Sequence, residues 1–155
     1  AYLPMPVVSG LGPAPHALDR LLRICDAIPD ESHTVIISLG LQDMLMTQDA
    51  DIFERQTAAL VDLLASRKRC RIILATPPPY PLSIDRIRPF AAAIKRVGDA
   101  RRIPVADLFS AFQGTGDASR PLFDPQYFGP NAAGQELAGV VLAAVIIDQP
   151  GKDFR

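Results

Sequence analysis

The stretch Thr34-Val35-Ile36-Ile37-Ser38-Leu39-Gly40-Leu41-Gln42-Asp43 decides the fold. Its first six residues are rich in β-branched side chains and apolar on both alternating faces. That is the pattern of a strand covered above and below in a parallel sheet, not of one with a wet face. Gly40 ends the run, and Gln42 and Asp43 place an amide and a carboxylate directly beyond the strand's carboxyl end. A doubly covered strand needs helices around it, so the neighbouring sequence should alternate helix and strand.

It does so in both directions. Upstream, Leu18, Leu21, Leu22, Cys25 and Ile28 recur at helical spacing and predict a helix over 15–28, broken by Pro29-Asp30-Glu31-Ser32-His33. Ahead of it Met5-Pro6-Val7-Val8 reads as a short strand, ended by the turn cluster Ser9-Gly10-Leu11-Gly12-Pro13. Downstream, Asp49 or Asp51 caps a helix over 52–66, and Arg71-Ile72-Ile73-Leu74-Ala75 is a second buried strand. Pro77-Pro78-Pro79-Tyr80-Pro81 forces a rigid loop. A helix over 84–101 turns Ile87, Phe90, Ala91, Ile94 and Val97 inward, and Ile103-Pro104-Val105-Ala106 makes a short strand at an edge. Residues 108–130 read as one long connection of the kind that carries function. Asn131 caps a closing helix over 132–147, with Leu137, Val140, Val141, Ala144 and Val145 at core spacing.

The order β-α-β-α-β-α-β-α implies a three-layer αβα sandwich, flavodoxin-like, with about four parallel strands in one domain over 1–148 and a tail over 149–155. A chain of 155 residues buries roughly 70% of its unfolded surface and needs no disulfide or metal to hold it. With 16 Lys+Arg against 17 Asp+Glu, the net charge of -1 gives no general attraction to nucleic acid or anionic membrane. Cys25 and Cys70 have no CxxC neighbour, and the two histidines lie apart, so no zinc knuckle or metal cluster is expected and no cofactor. Asp49 and Asp51 are better helix caps than cation ligands. The apolar run 138–147 is too short to span a bilayer, and no basic-then-apolar leader follows Ala1. Nothing in the residues points to a compartment.

Ligand sites in such sheets lie beyond the carboxyl ends of the strands. The candidates there are Ser9, Gly10 and Gly12, then Gln42 and Asp43, then Thr76 and Tyr80, and finally Asp124, Gln126, Tyr127, Gly129 and Asn131. Gly40-Leu41-Gln42-Asp43 reads either as a turn capped by Asp43 or as a donor loop aiming Gln42 into the cleft. Tyr80, Phe123, Tyr127 and Phe128 would line an apolar or sugar-stacking surface, or plug a gap. The glycines of Ser9-Gly10-Leu11-Gly12 do not make a nucleotide loop, because Pro13 and Pro15 follow and no Lys-Ser/Thr does. Arg67-Lys68-Arg69, with Arg71, reads as a solvated helix end. Ser9 and His16, seven residues apart, are the weak nucleophile and base on offer, although a histidine at a helix start is more often solvated or capping. His33 falls at the opposite end of the sheet.

Taken together, these blocks resemble the SGNH (GDSL-like) hydrolase family. Gly40-Leu41-Gln42-Asp43 is similar to its G-x-N-D block, with Gln for Asn. Val7-Val8-Ser9-Gly10-Leu11-Gly12 is similar to its second block, and Gly129-Pro130-Asn131-Ala132-Ala133-Gly134 to its closing D-x-x-H-P-N-x-x-G. The resemblance implies esterase chemistry from a serine in a Gly-Asp-Ser loop, a histidine base, an orienting aspartate and an oxyanion hole. The departures fall on that machinery. No Gly-Asp-Ser occurs in the chain; Gly129 stands at the histidine position and Gln126 at the aspartate position. Gly10, Gly12 and Gln42 remain as a partial oxyanion hole, which without its triad supports little catalysis.

The resemblance also implies one strand more than the chain supplies, the first, which carries the serine. Three resolutions stand open: that strand lies on an upstream segment or another chain; the remaining strands close up; or Met5–Val8 is itself the first strand. The expectation is therefore a non-catalytic SGNH-like domain that binds a small molecule, an acyl group or a carbohydrate, or a partner that completes the sheet. The alternative is an ester hydrolase whose Gly-Asp-Ser segment comes from upstream or from another chain.

Overall fold

The computed structural model describes residues 17–30, 34–46, 49–79, 84–115, 122–124 and 129–148, and of residues 17–20 the backbone alone. The expected strand Met5–Val8 lies outside the described residues. So do Ser9, Gly10, Gly12, His16, His33, Tyr80, Gln126, Tyr127 and Phe128.

In chain order the elements are α1 (Ala17–Ala27), β1 (Thr34–Ser38), α2 (Leu41–Leu45), α3 (Ala50–Arg67), β2 (Arg71–Ala75), α4 (Ile84–Arg101), β3 (Val105–Ala106), α5 (Leu108–Gly114) and α6 (Ala132–Asp148). Among the described residues the sheet has three parallel strands in the order β1-β2-β3. Thr34 pairs with Arg71 and so on to Ser38 with Ala75, and Leu74 and Ala75 pair with Val105 and Ala106. Chain order and spatial order agree, as adjacent βαβ units require.

The two faces of the sheet carry two cores. On one face α1, α3 and α4 close over Ile37, Leu39, Ile72 and Leu74, with Phe53, Leu60, Leu64, Ile87 and Ile94 buried at the centre. The rings of Phe53 and Phe90 meet at 5.2 Å and tie α3 to α4. On the other face a smaller core joins Ala75 and Ala106 to Leu108 and Phe112 of α5 and to Leu137, Val141 and Val145 of α6. Side chains alternate across a strand, so Ile72 and Leu74 serve the first core while Ala75 serves the second.

Among the described residues the predicted helices and strands are recovered with local differences. Asp49 is the cap of α3, its Oδ1 accepting the amides of Asp51 and Ile52 at 2.9 and 3.1 Å. β3 is shorter than the predicted 103–106 because Ile103 is used to end α4. Its amide donates to Gly98 O at 2.9 Å while Arg102 takes φ 55, the left-handed conformation of a helix C-cap. Gly40–Asp43 is not an open turn but the start of α2, and the connection over 108–130 begins with α5. Val140 and Ala144, predicted at core spacing, are exposed. No helix of the described residues is long and apolar enough to cross a membrane.

Candidate functional site

The carboxyl ends of β1 and β2 lead into two short segments, and a third lies just before α6. After β1 the chain passes through Gly40 at φ 113, a conformation that L side chains rarely adopt. A Cβ there would also lie 3.1 Å from Pro77 Cγ and 3.4 Å from Phe90 Cβ. Glycine thus lets the end of β1 pack against the proline loop after β2 and turn directly into α2. Asp43, only 1% exposed, accepts the Gly40 amide through Oδ2 at 3.1 Å. Its carboxylate therefore reaches back to the start of its own helix, at the end where the helix dipole favours negative charge. Gln42, one residue earlier, is exposed. From α4 the Arg86 guanidinium donates to Met44 O at 3.2 Å and holds the far end of α2.

After β2, Thr76 is fully buried. Its hydroxyl accepts the Phe109 amide at 2.9 Å and donates to Asp107 Oδ1 at 3.2 Å. Asp107 in turn caps α5 through the Ser110 amide at 3.1 Å and forms an ion pair with Lys95 of α4. Burial pushes the Asp107 carboxyl upward, but the bonds from Lys95 and Ser110 outweigh it and hold the group below the usual carboxylate range. Lys95 also donates to Ser110 Oγ at 3.3 Å. It is a donor toward both groups, so this contact is a clasp and not a serine with a base. The structure brings Thr76 and Asp107 together. Both hold the sheet edge to α5, and the Thr76 hydroxyl is already engaged in that bond network.

The third segment precedes α6. Phe123 and Pro130 form an antiparallel bridge, the Asp124 amide donates to Gly129 O at 3.1 Å, and the Asn131 amide donates to Leu122 O at 3.0 Å. Asn131 Oδ1 accepts the Gly134 amide at 3.0 Å and caps α6, as its sequence position predicts. The glycine at 134 is a packing requirement, since a Cβ would sit 2.2 Å from Leu122 O. Phe123, one of the aromatics expected near the cleft, faces Phe112 at 5.4 Å and belongs to the second core. Gly129 is different: a Cβ built there meets nothing within 4 Å. Residue 129 thus has room for a side chain and carries none.

Asp107, Lys95 and Ser110 were not singled out from the sequence. Asp107 was legible as a cap, because Leu108, Phe109 and Phe112 follow it at the spacing of one buried helical face. Lys95 was not, since only the packing of α4 against α5 carries it there. Among the described residues no group of three or more His, Cys, Asp or Glu is placed to hold a metal ion. The basic residues 67, 68 and 71 are engaged rather than merely solvated. Arg67 pairs with Asp26, Lys68 with Asp30, and Arg71 donates to Val145 O and Ile146 O at the end of α6.

Comparison with known proteins agrees with this geometry. The model of the GDSL-like lipase/acylhydrolase family matches residues 6–137. No curated protein matches the chain. Among solved structures, the lipase/acylhydrolase from Enterococcus faecalis superposes with a TM-score of 0.70 at 22% identity, over 89% of this chain and 73% of its own. A member of the lipolytic protein G-D-S-L family from Veillonella parvula DSM 2008 gives 0.70 at 13% identity, over 84% and 73%. The acetyl xylan esterase AlAXEase gives 0.62 at 18% identity, over 84% and 72%. At these identities the structures speak to the fold. With the family model covering most of the chain and the same α/β architecture in each neighbour, the chain belongs to the GDSL-like lipase/acylhydrolase (SGNH hydrolase) family.

Proposed function

We propose that this chain is a non-hydrolytic member of its family, a domain that keeps the scaffold and uses it to bind a ligand or a partner. The observation that carries this reading is Gly129. It stands where the family's general base would be, tied by its carbonyl to the Asp124 amide, and has no side chain to take a proton. An acyl-transfer site needs a base within hydrogen-bond reach of its nucleophile. Gln126 at the aspartate position and the absence of Gly-Asp-Ser from the chain point the same way. Several of its structural neighbours are named as esterases, one an acetyl xylan esterase, which makes an acylated carbohydrate the ligand class to try first.

The test is incubation of the purified chain with p-nitrophenyl acetate and, separately, with a fluorophosphonate probe. Hydrolysis at the buffer rate and no covalent label are expected. Turnover well above buffer together with a label on Ser9 would refute the proposal. A second reading is an ester hydrolase whose Gly-Asp-Ser segment comes from outside these residues. It is favoured by the quarter or so of each superposed structure that has no counterpart here, and it requires a base other than residue 129.

A further inference from the structure

On α3, Glu54, Ala58 and Asp62 follow one another at steps of four and stand in one row along the helix. Arg96, Val97, Ala100 and Arg101 of α4 lie opposite. The charged members of the two rows join across the groove. Arg96 donates through Nε and Nη2 to Glu54 Oε2, the first at 2.8 Å, and Arg101 donates through the same two atoms to both oxygens of Asp62 at 2.7 Å each. Between these two ion pairs each helix presents an alanine, and two alanines do not fill a groove held open by long side chains. The result is a notch of about 320 Å³, with Ala58, Ala100 and the buried Val97 at its base. It opens on the α3–α4 layer, across the sheet from α5 and α6.

The charges around the notch say what fits. Asp51 and Arg55, one helical turn apart on α3, complete its wall, and both are exposed. Neither side chain makes a hydrogen bond or ion pair among the described residues. Asp51 does face α4. Bonding to Glu54 raises the Arg96 guanidinium above its ordinary value, burial works against the rise, and the charges of Glu54 and Asp51 add to it. The guanidiniums of Arg55, Arg96 and Arg101 are matched by the carboxylates of Asp51, Glu54 and Asp62, so no net field favours a plain anion or a plain cation. What is left to bind is one carboxylate and one guanidinium beside an apolar base. The guanidinium fork suits a carboxylate, and the Asp51 carboxylate suits an ammonium. Their Cβ atoms stand about 5–6 Å apart at this spacing, so the two ligand charges must be close neighbours. The volume is that of a small-molecule site, and an ion pair on either side of the alanines leaves little room for a longer chain.

We infer that the notch between α3 and α4 binds a free α-amino acid with an aliphatic side chain. Such a molecule carries its two charges on one carbon, the carboxylate toward Arg55 and the ammonium toward Asp51, and lays its side chain on Ala58, Val97 and Ala100. Exposed charge pairs each add little, so the affinity is in the millimolar range and the apolar contact sets the side-chain preference. The site stands apart from Gly129 and holds whether or not the chain hydrolyses esters.

The test is a titration of the purified chain with L-leucine, followed in two-dimensional amide NMR spectra. Shifts confined to the residues around 51–58 and 96–101 and saturating at millimolar leucine are expected. Isocaproate, which lacks the ammonium, isoamylamine, which lacks the carboxylate, and glycine, which lacks the side chain, should each bind at least ten-fold more weakly. Arg55→Gln removes the free guanidinium and Ala100→Leu fills the base; both positions are exposed, so the spectrum away from the notch should stay that of the parent. Each variant should weaken leucine at least ten-fold. Absence of saturable shifts, shifts scattered over the molecule, or isocaproate or isoamylamine binding as well as leucine would overturn the inference. So would unchanged leucine affinity in either variant.

Discussion

The hydroxyl of Thr76 stands 3.2 Å from Asp107 Oδ1 and joins the end of β2 to the cap of α5. The same oxygen accepts the Phe109 amide at 2.9 Å, inside the protein and away from water. Removing it strands a buried N–H, which costs about 1–3 kcal/mol. Thr76→Val, close in shape, should therefore lose about 2 kcal/mol in urea unfolding, and Thr76→Ser should recover most of it. Equal stability of the valine variant and the parent would remove Thr76 from the clasp.

Asp107 and Asp62 make stability depend on acid. Burial raises Asp107, but Lys95 and Ser110 hold it lower overall; Asp62 is lowered chiefly by its hydrogen bond from Arg101. Both folded values lie below the unfolded ones, so their contribution is complete above the ordinary aspartate value of about 3.9 and is lost as pH falls through the lowered values. Asp62 is largely exposed, so most of the effect should come from Asp107. Unfolding measured from pH 6 down to pH 2 should show Asp107→Asn falling less steeply than the parent below pH 4. Parallel curves would show that the ion pair with Lys95 does not set the acid limit.

The two glycines of the closing block should respond in opposite ways. A Cβ at Gly134 would meet Leu122 O at 2.2 Å and Pro130 Cβ at 2.8 Å. Gly134→Ala should cost about 2 kcal/mol or more, because backbone rather than a flexible side chain has to move. Gly129 has open space, so Gly129→His should change stability by less than about 0.5 kcal/mol. Thermal unfolding of the two variants side by side decides this. The histidine variant of the 155-residue chain should still hydrolyse p-nitrophenyl acetate at the buffer rate, since a base alone supplies no nucleophile.

Arg102 ends α4 at φ 55, where a side chain costs about 1–2 kcal/mol. Arg102→Gly removes that strain at the expense of extra freedom in the unfolded chain. A net gain of about 0.5–1 kcal/mol is expected, read as a rise in the urea midpoint with an unchanged slope. A loss of stability would mean that the Arg102 side chain makes a contact worth more than the strain.

How much could be read in advance depended on how local the determining interaction was. α4 was legible to the residue over 84–101, because five buried positions recur at helical spacing, and β2 because four apolar residues in a row, Ile72 to Ala75, are buried. α2 is short and lacks that repeat. It is made by Gly40 turning under Pro77 and Phe90 and by Asp43 reaching back to the Gly40 amide, contacts between segments that periodicity does not report. The candidate site divides in the same way. Asn131 was recognisable as a cap from its neighbours, whereas nothing local says that Thr76 turns inward to Phe109 and Asp107 while Gln42 stays exposed.

The alternation of helix and parallel strand and the family resemblance were set by the sequence alone, since covalent order and residue identity suffice for those. Only the tertiary structure decided which face of α6 is covered, because a helix apolar on every side has no preferred face until its neighbours are in place. The same packing showed Gly134 pinned under Leu122 and Gly129 open to space, two glycines the sequence cannot tell apart.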